Sequence, residues 1–181
     1  MTAVSTIEET PSTGPGWEIR PATGGDWPAI WTILEPVIRA GETFTWDRDT
    51  TEHQARERWF KQPPGQTFVA VGRGELEGLV LGTGELHANQ GGAGSHVANA
   101  GYMGHPAHGG KGLARALCAY SLDAARAAGF RAMQFNAVVE SNVRAVSAWR
   151  SMGFEVLATI PEAFLHPRAG YVGLHVMYRR L

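Results

Sequence analysis

The stretch His105-Pro106-Ala107-His108-Gly109-Gly110-Lys111-Gly112-Leu113-Ala114 lies where a strand-like segment gives way to a helical one. Before it, Val97 to Met103 reads as a strand, closed by Pro106. After it, residues 113–128 are good helix formers with apolar side chains at 113, 117, 120 and 124, and Gly129 stops them. Closely spaced glycines let a backbone approach a ligand and turn its N–H groups toward it. The helix N-terminus adds about half a positive charge, so the place suits a phosphate or pyrophosphate. Two nucleotide motifs fit badly. A Walker A loop needs Gly at 105 and Ser or Thr at 112, where this chain has His105 and Gly112. A dinucleotide fingerprint needs a third glycine-like residue where Arg115 stands. What remains is a phosphate cradle of another kind, or a Gly-rich turn with no ligand.

The rest of the chain narrows the class. Its 181 residues suit one domain with a real core, and the formal net charge is only −1. Lys61 and Lys111 are the only lysines, so no basic tract tracks nucleic acid and no polybasic cluster faces a membrane. Residues 1–15 lack an apolar core and carry acidic groups, and read as a disordered leader ahead of a domain at 16–181. No apolar stretch approaches membrane-spanning length. Cys118 is the lone cysteine and falls mid-helix, which excludes an intrachain disulfide and a thiolate metal cluster; it reads as a small buried residue. A cytoplasmic protein without a bound metal is expected.

Outward from the glycine run, the periodicities give alternating elements. Trp17 to Pro21 reads as a first strand. Asp26 is placed to cap a helix through Trp27, Ile30, Trp31, Leu34 and Ile38, which Pro36 should kink. Phe44-Thr45-Trp46 forms an aromatic loop patch before a second helix near Thr51 to Phe60. Pro63-Pro64-Gly65 breaks the chain, and Thr67 to Val71 and Gly78 to Leu86 read as an antiparallel hairpin turning at Gly72-Arg73-Gly74. Ala88 to Ser95 reads as flexible. Ala132 to Val139 is a near-continuous apolar strand, read as buried on both sides. Ser141 or Asn142 caps a further helix through Trp149, ended by Gly153. Phe154 to Ile160 and Tyr171 to Tyr178 supply two last strands. The order β-α-α-β-β-β-α-β-α-β-β predicts an α/β fold, a central mixed sheet with helices on both faces, with no internal repeat.

Three of these features coincide in one known pattern. The loop Gly109 to Ala114 resembles the acetyl-CoA signature of the GNAT acetyltransferases, Arg/Gln-x-x-Gly-x-Gly/Ala. Downstream, Glu140-Ser141-Asn142 with Ala145, Trp149, Gly153 and Phe154 resembles their second motif, Glu-Asn-x-x-Ala/Ser…Tyr-x-x-x-Gly-Phe. The element order over 17–181 is similar to theirs as well. Residues 95–102, 134–139 and 170–178 further resemble a branch that acetylates azetidine-carboxylate (a proline analogue) and, more remotely, phosphinothricin.

The resemblance implies an acetyl-CoA-dependent N-acetyltransferase acting on a small-molecule amine, an amino acid or toxic analogue. It implies a CoA site at Tyr102, Met103, Gly104, Gly109, Gly110, Lys111, Gly112, Leu113, Ala114, Asn142 and Trp149. A homodimer is common among such relatives. Two departures stand out. Gly109 replaces the signature's Arg or Gln, leaving backbone N–H groups, with His108 or Lys111 as alternative charges. Trp149 stands where many relatives carry a tyrosine that protonates departing CoA, and indole is no acid at neutral pH. A CoA thiol has a pKa of roughly 8.5, so its thiolate leaves tolerably without help. Water or Tyr102 then stands in for an acid, an effect typically worth about 10²–10⁴-fold. The rival reading is an acyl-CoA-binding sensor of the same fold that has lost turnover.

The acceptor side is read from residue chemistry. Asn99 and Asn136 interrupt apolar strands, where an unpaired amide costs about 1–3 kcal/mol, so each needs a partner: a neighbouring strand or a substrate amine and carboxylate. Glu85 ends a strand facing the cleft and is the candidate base, acting through water; His96 and His175 are alternatives. Phe44 and Trp46 either wall the acceptor pocket or pack on the core.

Overall fold

A computed structural model describes residues 12–14, 16–108, 110 and 112–181 of the chain, the first three by their backbone alone. The elements follow the expected order with one addition at the start. They are β1 (Ser12–Gly14), β2 (Trp17–Pro21), α1 (Trp27–Ala40), α2 (Glu52–Trp59), β3 (Gln66–Gly72) and β4 (Val80–Ala88). After them come β5 (Val97–Gly104), α3 (Leu113–Ala127), β6 (Ala132–Val139), α4 (Val143–Ser151), β7 (Glu155–His166) and β8 (Gly170–Arg180). Of the segment expected as a leader, residues 1–11 and 15 lie outside those described. Ser12–Gly14 pairs antiparallel with β2.

All eight strands form one sheet in the order β1-β2-β3-β4-β5-β6-β8-β7. Every neighbouring pair is antiparallel except β5 and β6, which are parallel and joined through α3. The mixed α/β architecture is therefore the one predicted. Helices cover both faces. Ile30, Ile33, Leu34 and Ile38 of α1 and Trp59 of α2 are buried against Val69, Val80 and Met103 on one side. Leu113, Leu117, Tyr120 and Trp149 of α3 and α4 are buried against Phe68, Leu81, Ala98 and Phe135 on the other.

The parallel pair positions the site. Only Val97 with Ala132 and Ala98 with Met133 are in register, although β5 runs on to Gly104 and β6 to Val139. Beyond that point the two strands part, and a sheet that is continuous elsewhere opens in its middle. The second half of β6 consequently differs from the expectation of a strand buried on both sides. Ala132, Met133 and Phe135 are buried, but Asn136 is exposed and Ala137 and Val138 are half-buried at the opening.

Local signals explain most boundaries. Thr51 caps α2, accepting from the Gln54 N–H, and Gln54 returns the bond in a capping box. Asn142, rather than Ser141, caps α4: its Oδ1 accepts from Ala145 N at 3.1 Å. Asp26 behaves otherwise than predicted. Its carboxylate makes no cap bond to α1; it accepts from both terminal nitrogens of Arg20, at 2.8 and 2.9 Å, and from Thr23 N at 2.7 Å. An ion pair with two good donors outcompetes a cap. Helix α1 runs unbroken through Pro36 and ends at Gly41, whose φ of 65° stops it.

Candidate active site

The opening between β5 and β6 is a cavity of about 560 Å³. Its walls are Asn99 to Gly104 of β5, Phe135 to Val139 of β6, and Asn142, Ala145 and Trp149 at the head of α4. One end reaches Phe44 and Trp46 of the α1–α2 loop, Arg58 and Lys61 at the end of α2, and Glu85 and His87 of β4.

The glycine loop forms the approach to α3. Gly110 and Gly112 adopt φ of 105° and 87°, which only glycine takes without strain, and a β-carbon at either would meet open space. Gly112 is the N-cap of α3 and offers no side-chain cap. The two positions thus need glycine for backbone shape. Gly109 and Lys111 lie outside the described residues. Leu113 differs from the expectation in one respect: its side chain is buried and packs toward Gly82, so a ligand can meet only its backbone. Ala114 is exposed on the first turn. The His108 ring lies tilted against that of His105, with ring centroids 4.7 Å apart.

Tyr102 is corrected most clearly. The expectation offered its hydroxyl as an acid for the leaving thiol. Its ring instead points into the core between sheet and α3, where the hydroxyl lies 2.5 Å from Ser121 Oγ and its ring meets Phe68, Phe135 and Trp149. Burial raises its pKa well above the usual phenol value. A phenol so engaged with Ser121 does not yield a proton readily. Tyr102 and Met103, whose side chain is buried on the opposite face, border the cavity along the strand, and Gly104 is exposed at its end. Trp149, 8 % exposed, packs on Tyr102 and Phe135 at 5.2 and 5.5 Å between centroids.

Asn99 and Asn136 both line the cavity, on the same sheet face as Glu85. Asn136 finds its partners within the protein: it donates to Asn89 Oδ1 at 2.6 Å and accepts from Gln134 Nε2 at 2.8 Å. Asn89 falls in the segment expected to be flexible, yet its N–H bonds Val97 O and residues 92–94 form a turn. Asn99 is half-buried and lines the cavity, and its amide makes no hydrogen bond among the described residues.

Glu85 is 7 % exposed and sits opposite Gly101 on β5. Its Oε2 lies 2.6 Å from His87 Nδ1 and 3.5 Å from Lys61 Nζ. Neither His87 nor Lys61 was expected from the sequence, although Glu-x-His on a strand puts both side chains on one face. Lys61 is brought there by α2. Trp59 is buried and donates to Thr83 Oγ1 of β4 at 3.0 Å, anchoring the helix end, and Lys61 Nζ also donates to Arg58 O. Phe44 and Trp46 satisfy both of their alternatives, packing edge-on against Trp59 at 6.1 Å and facing the cavity. His96 and His175 stand apart from it, bonded to Ala93 O and Thr159 Oγ1. Among the described residues no group of three His, Cys, Asp or Glu is placed to hold a metal ion, and no helix is long and apolar enough to cross a membrane.

A split parallel pair headed by a glycine turn can be compared with known proteins. A family model described as the acetyltransferase (GNAT) family matches residues 27–154, from α1 to the end of the α4 region. The chain belongs to the GNAT acetyltransferase family. A GCN5-related N-acetyltransferase from Kribbella flavida is 47 % identical, superposes with a TM-score of 0.87, and covers 92 % of this chain and 98 % of its own. N-acetyltransferase aca1 of Schizosaccharomyces pombe is 26 % identical over 151 residues, which are 77 % of this chain and 72 % of that protein. A phosphinothricin acetyltransferase from Sinorhizobium meliloti, solved with acetyl-CoA, has a TM-score of 0.81 at 19 % identity, covering 92 % and 89 % of the two chains; that likeness is one of fold. As a GNAT N-acetyltransferase, this chain departs from the family pattern at Gly109 and Trp149. The stretch from Glu155 onward, holding β7 and β8, lies beyond the matched region.

Proposed function

We propose that this enzyme transfers the acetyl group of acetyl-CoA to the amine of a small molecule that also bears a carboxylate, an amino acid or a toxic analogue of one. The observation that carries this reading is the gap between β5 and β6: Asn99 to Gly104 pair with β4 on one edge, while the edge facing β6 has no strand partner and lies at the cavity wall. An extended pantetheine arm fits such an edge as an added strand would. The glycine turn at Gly110 and Gly112, open to its surroundings and leading into α3, suits the pyrophosphate. Acetyl-CoA is present in the Sinorhizobium structure and in that of yncA from Salmonella typhimurium, a fold neighbour at 24 % identity.

When bound, acetyl-CoA supplies an activated acyl group with a thiol leaving group. The chain's own residues then have three tasks. The β5 backbone aligns the arm and offers N–H groups toward the thioester oxygen. Phe44, Trp46 and Trp59 exclude water from the acceptor end. Asn99, with its free amide, orients the acceptor, while the bonded Asn136 braces the rim through Asn89. The carboxylate is assigned to Arg58, whose guanidinium lies over the Trp46 ring at 5.5 Å and forms no ion pair among the described residues. In-line positioning of two reactants supplies the larger share of the rate, which is consistent with the absence of a tyrosine at 149.

The test is a panel of L-amino acids, their amides and their decarboxylated amines, incubated with acetyl-CoA while thiol release is followed. Free amino acids should react fastest, and Arg58→Ala should raise KM for them while leaving the decarboxylated amines unaffected. CoA binding with no thiol release from any amine would favour the binding-only sensor. Equal rates on acids and decarboxylated amines would remove the carboxylate from the reading.

A further inference from the structure

The contact between Glu85 and His87 sets a nearly buried carboxylate against a histidine at the cavity. Both lie on β4, two residues apart, and project to the face that meets the acceptor end of the cavity. Glu85 is nearly buried, with its side chain 10 % exposed, whereas that of His87 is 33 % exposed and borders the cavity. The 2.6 Å contact uses Nδ1. A carboxylate can only accept, so Nδ1 carries the hydrogen, and a neutral ring then has its lone pair on Nε2.

We infer that His87, rather than Glu85 itself, takes the proton from the acceptor's ammonium, and that Glu85 is a positioning residue that fixes the imidazole's tautomer and orientation. This rests on the acetyl-transfer reading above. Three observations favour it. Glu85 Oε2 already accepts from His87 and has the Lys61 ammonium 3.5 Å away, so a second ammonium approaching that oxygen meets a like charge. Its other oxygen is turned against the bare Cα of Gly101. His87 is the more exposed partner and stands opposite Asn99, which also lines the cavity. Imidazole is also the side-chain type suited to accept a proton near neutral pH.

An N–H bond of the ammonium breaks, its electron pair stays on nitrogen, and the proton moves to His87 Nε2. The freed pair forms the N–C bond to the acyl carbon, the C–S bond breaks with its pair on sulfur, and sulfur takes a second proton from the nitrogen. His87 returns its proton to solvent, which restores the resting tautomer. The charged and titratable groups facing His87 are Glu85 on its own strand and Arg58 and Lys61 from α2 and the turn after it. From β5 and β6 the facing polar groups are the neutral Asn99 and Asn136.

Two measurements decide the assignment. In the first, protein labelled with ¹⁵N-histidine and free of ligands is titrated by NMR, with His87→Gln identifying the signal. The Nδ1–H tautomer is expected at neutral pH, and Glu85→Gln, whose amide can donate as well as accept, should mix in the Nε2–H form. An Nε2–H tautomer in the wild type would overturn the assignment. The second is the pH profile of kcat/KM on the fastest amine of the panel above. His87→Gln should lower it about 10²–10⁴-fold and abolish the acidic limb, while Glu85→Gln lowers it less and keeps that limb. A His87→Gln enzyme that retains both rate and limb would overturn the proposal. If no amine on the panel reacts, the acetyl-transfer reading fails by itself, and the tautomer still decides which nitrogen of His87 is basic.

Discussion

A β-carbon on Gly101 would lie 3.0 Å from Glu85 Oε1 and 3.4 Å from the Trp59 ring, so the carboxylate of β4 occupies the place where β5 would carry a side chain. Gly101 faces Glu85 directly in the register. The glycine is therefore a spatial requirement across two strands, and not one of backbone conformation.

Gly101→Ala tests that relationship. The new methyl must displace either a carboxylate held by His87 and Lys61 or a buried indole. A shift of a few tenths of an ångström at a positioning group should lower kcat roughly ten- to a hundredfold. Acetyl-CoA affinity, measured by calorimetric titration, should stay within about twofold, since the methyl faces the acceptor side of β5. An unchanged kcat would show that Glu85 tolerates displacement.

Tyr102→Phe separates a structural phenol from a catalytic one. Removing the hydroxyl leaves Ser121 Oγ still bonded to Cys118 O at 2.8 Å. Stability should fall by about 1 kcal/mol, read from urea unfolding, while kcat stays within about twofold. A drop in kcat of a hundredfold or more would return the hydroxyl to the chemistry.

Cys118 should be inert in the native state. Burial pushes its thiol up to about 12, and its side chain is fully enclosed between α3 and the sheet. A colorimetric disulfide reagent at neutral pH should find no reactive thiol until denaturant is added. Fast reaction of the native protein would mean that α3 opens readily.

The Arg20–Asp26 pair makes a prediction about acid. The Arg20 guanidinium, followed by the Thr23 N–H and hydroxyl, holds the Asp26 carboxyl down at about 2 against an ordinary value near 4. A folded value below the unfolded one contributes stability above about pH 4, lost as pH falls toward 2. Arg20 is partly exposed, so Asp26→Asn should cost only about 1 kcal/mol at neutral pH. Urea titrations of the two proteins should converge near pH 2. A difference that persists there would assign the loss to something other than the charge.

Much of the fold was legible because its signals are local. Strand alternation at Trp17–Pro21, the 3.6-residue spacing in α1 and α3, glycine after α1, α3 and α4 and Asn142 before α4 act within a few residues, and each names its element. The family motifs are equally local. The glycine turn and the Asn142–Phe154 segment carry the family resemblance before any tertiary contact is known. Where local reasoning failed, a longer-range partner had won. Asp26 left its helix for Arg20, six residues back on β2. Asn136 took its partner within the protein, Asn89 across the opening, a contact that residues 136 and 89 could not announce locally. The phenol of Tyr102 was claimed by Ser121 on α3, because the pleat puts residue 102 on the opposite face from Gly101.

The acceptor end was the least legible part, for the same reason. Lys61, Glu85, His87 and Gly101 come from the turn after α2, from β4 and from β5, and only Glu85 among them carried a signal strong enough to be singled out. Their meeting depends on the register of β4 on β5 and on Trp59 anchoring α2 to Thr83. By itself the sequence determined the order of the elements after β1, the family and the glycine turn ahead of α3, since helix periods, caps and positive-φ glycines act over neighbouring residues. The tertiary structure alone decided which polar side chains share the cavity and which are used up in the core, because strand register and pleat place residues far apart in the chain within hydrogen-bond reach.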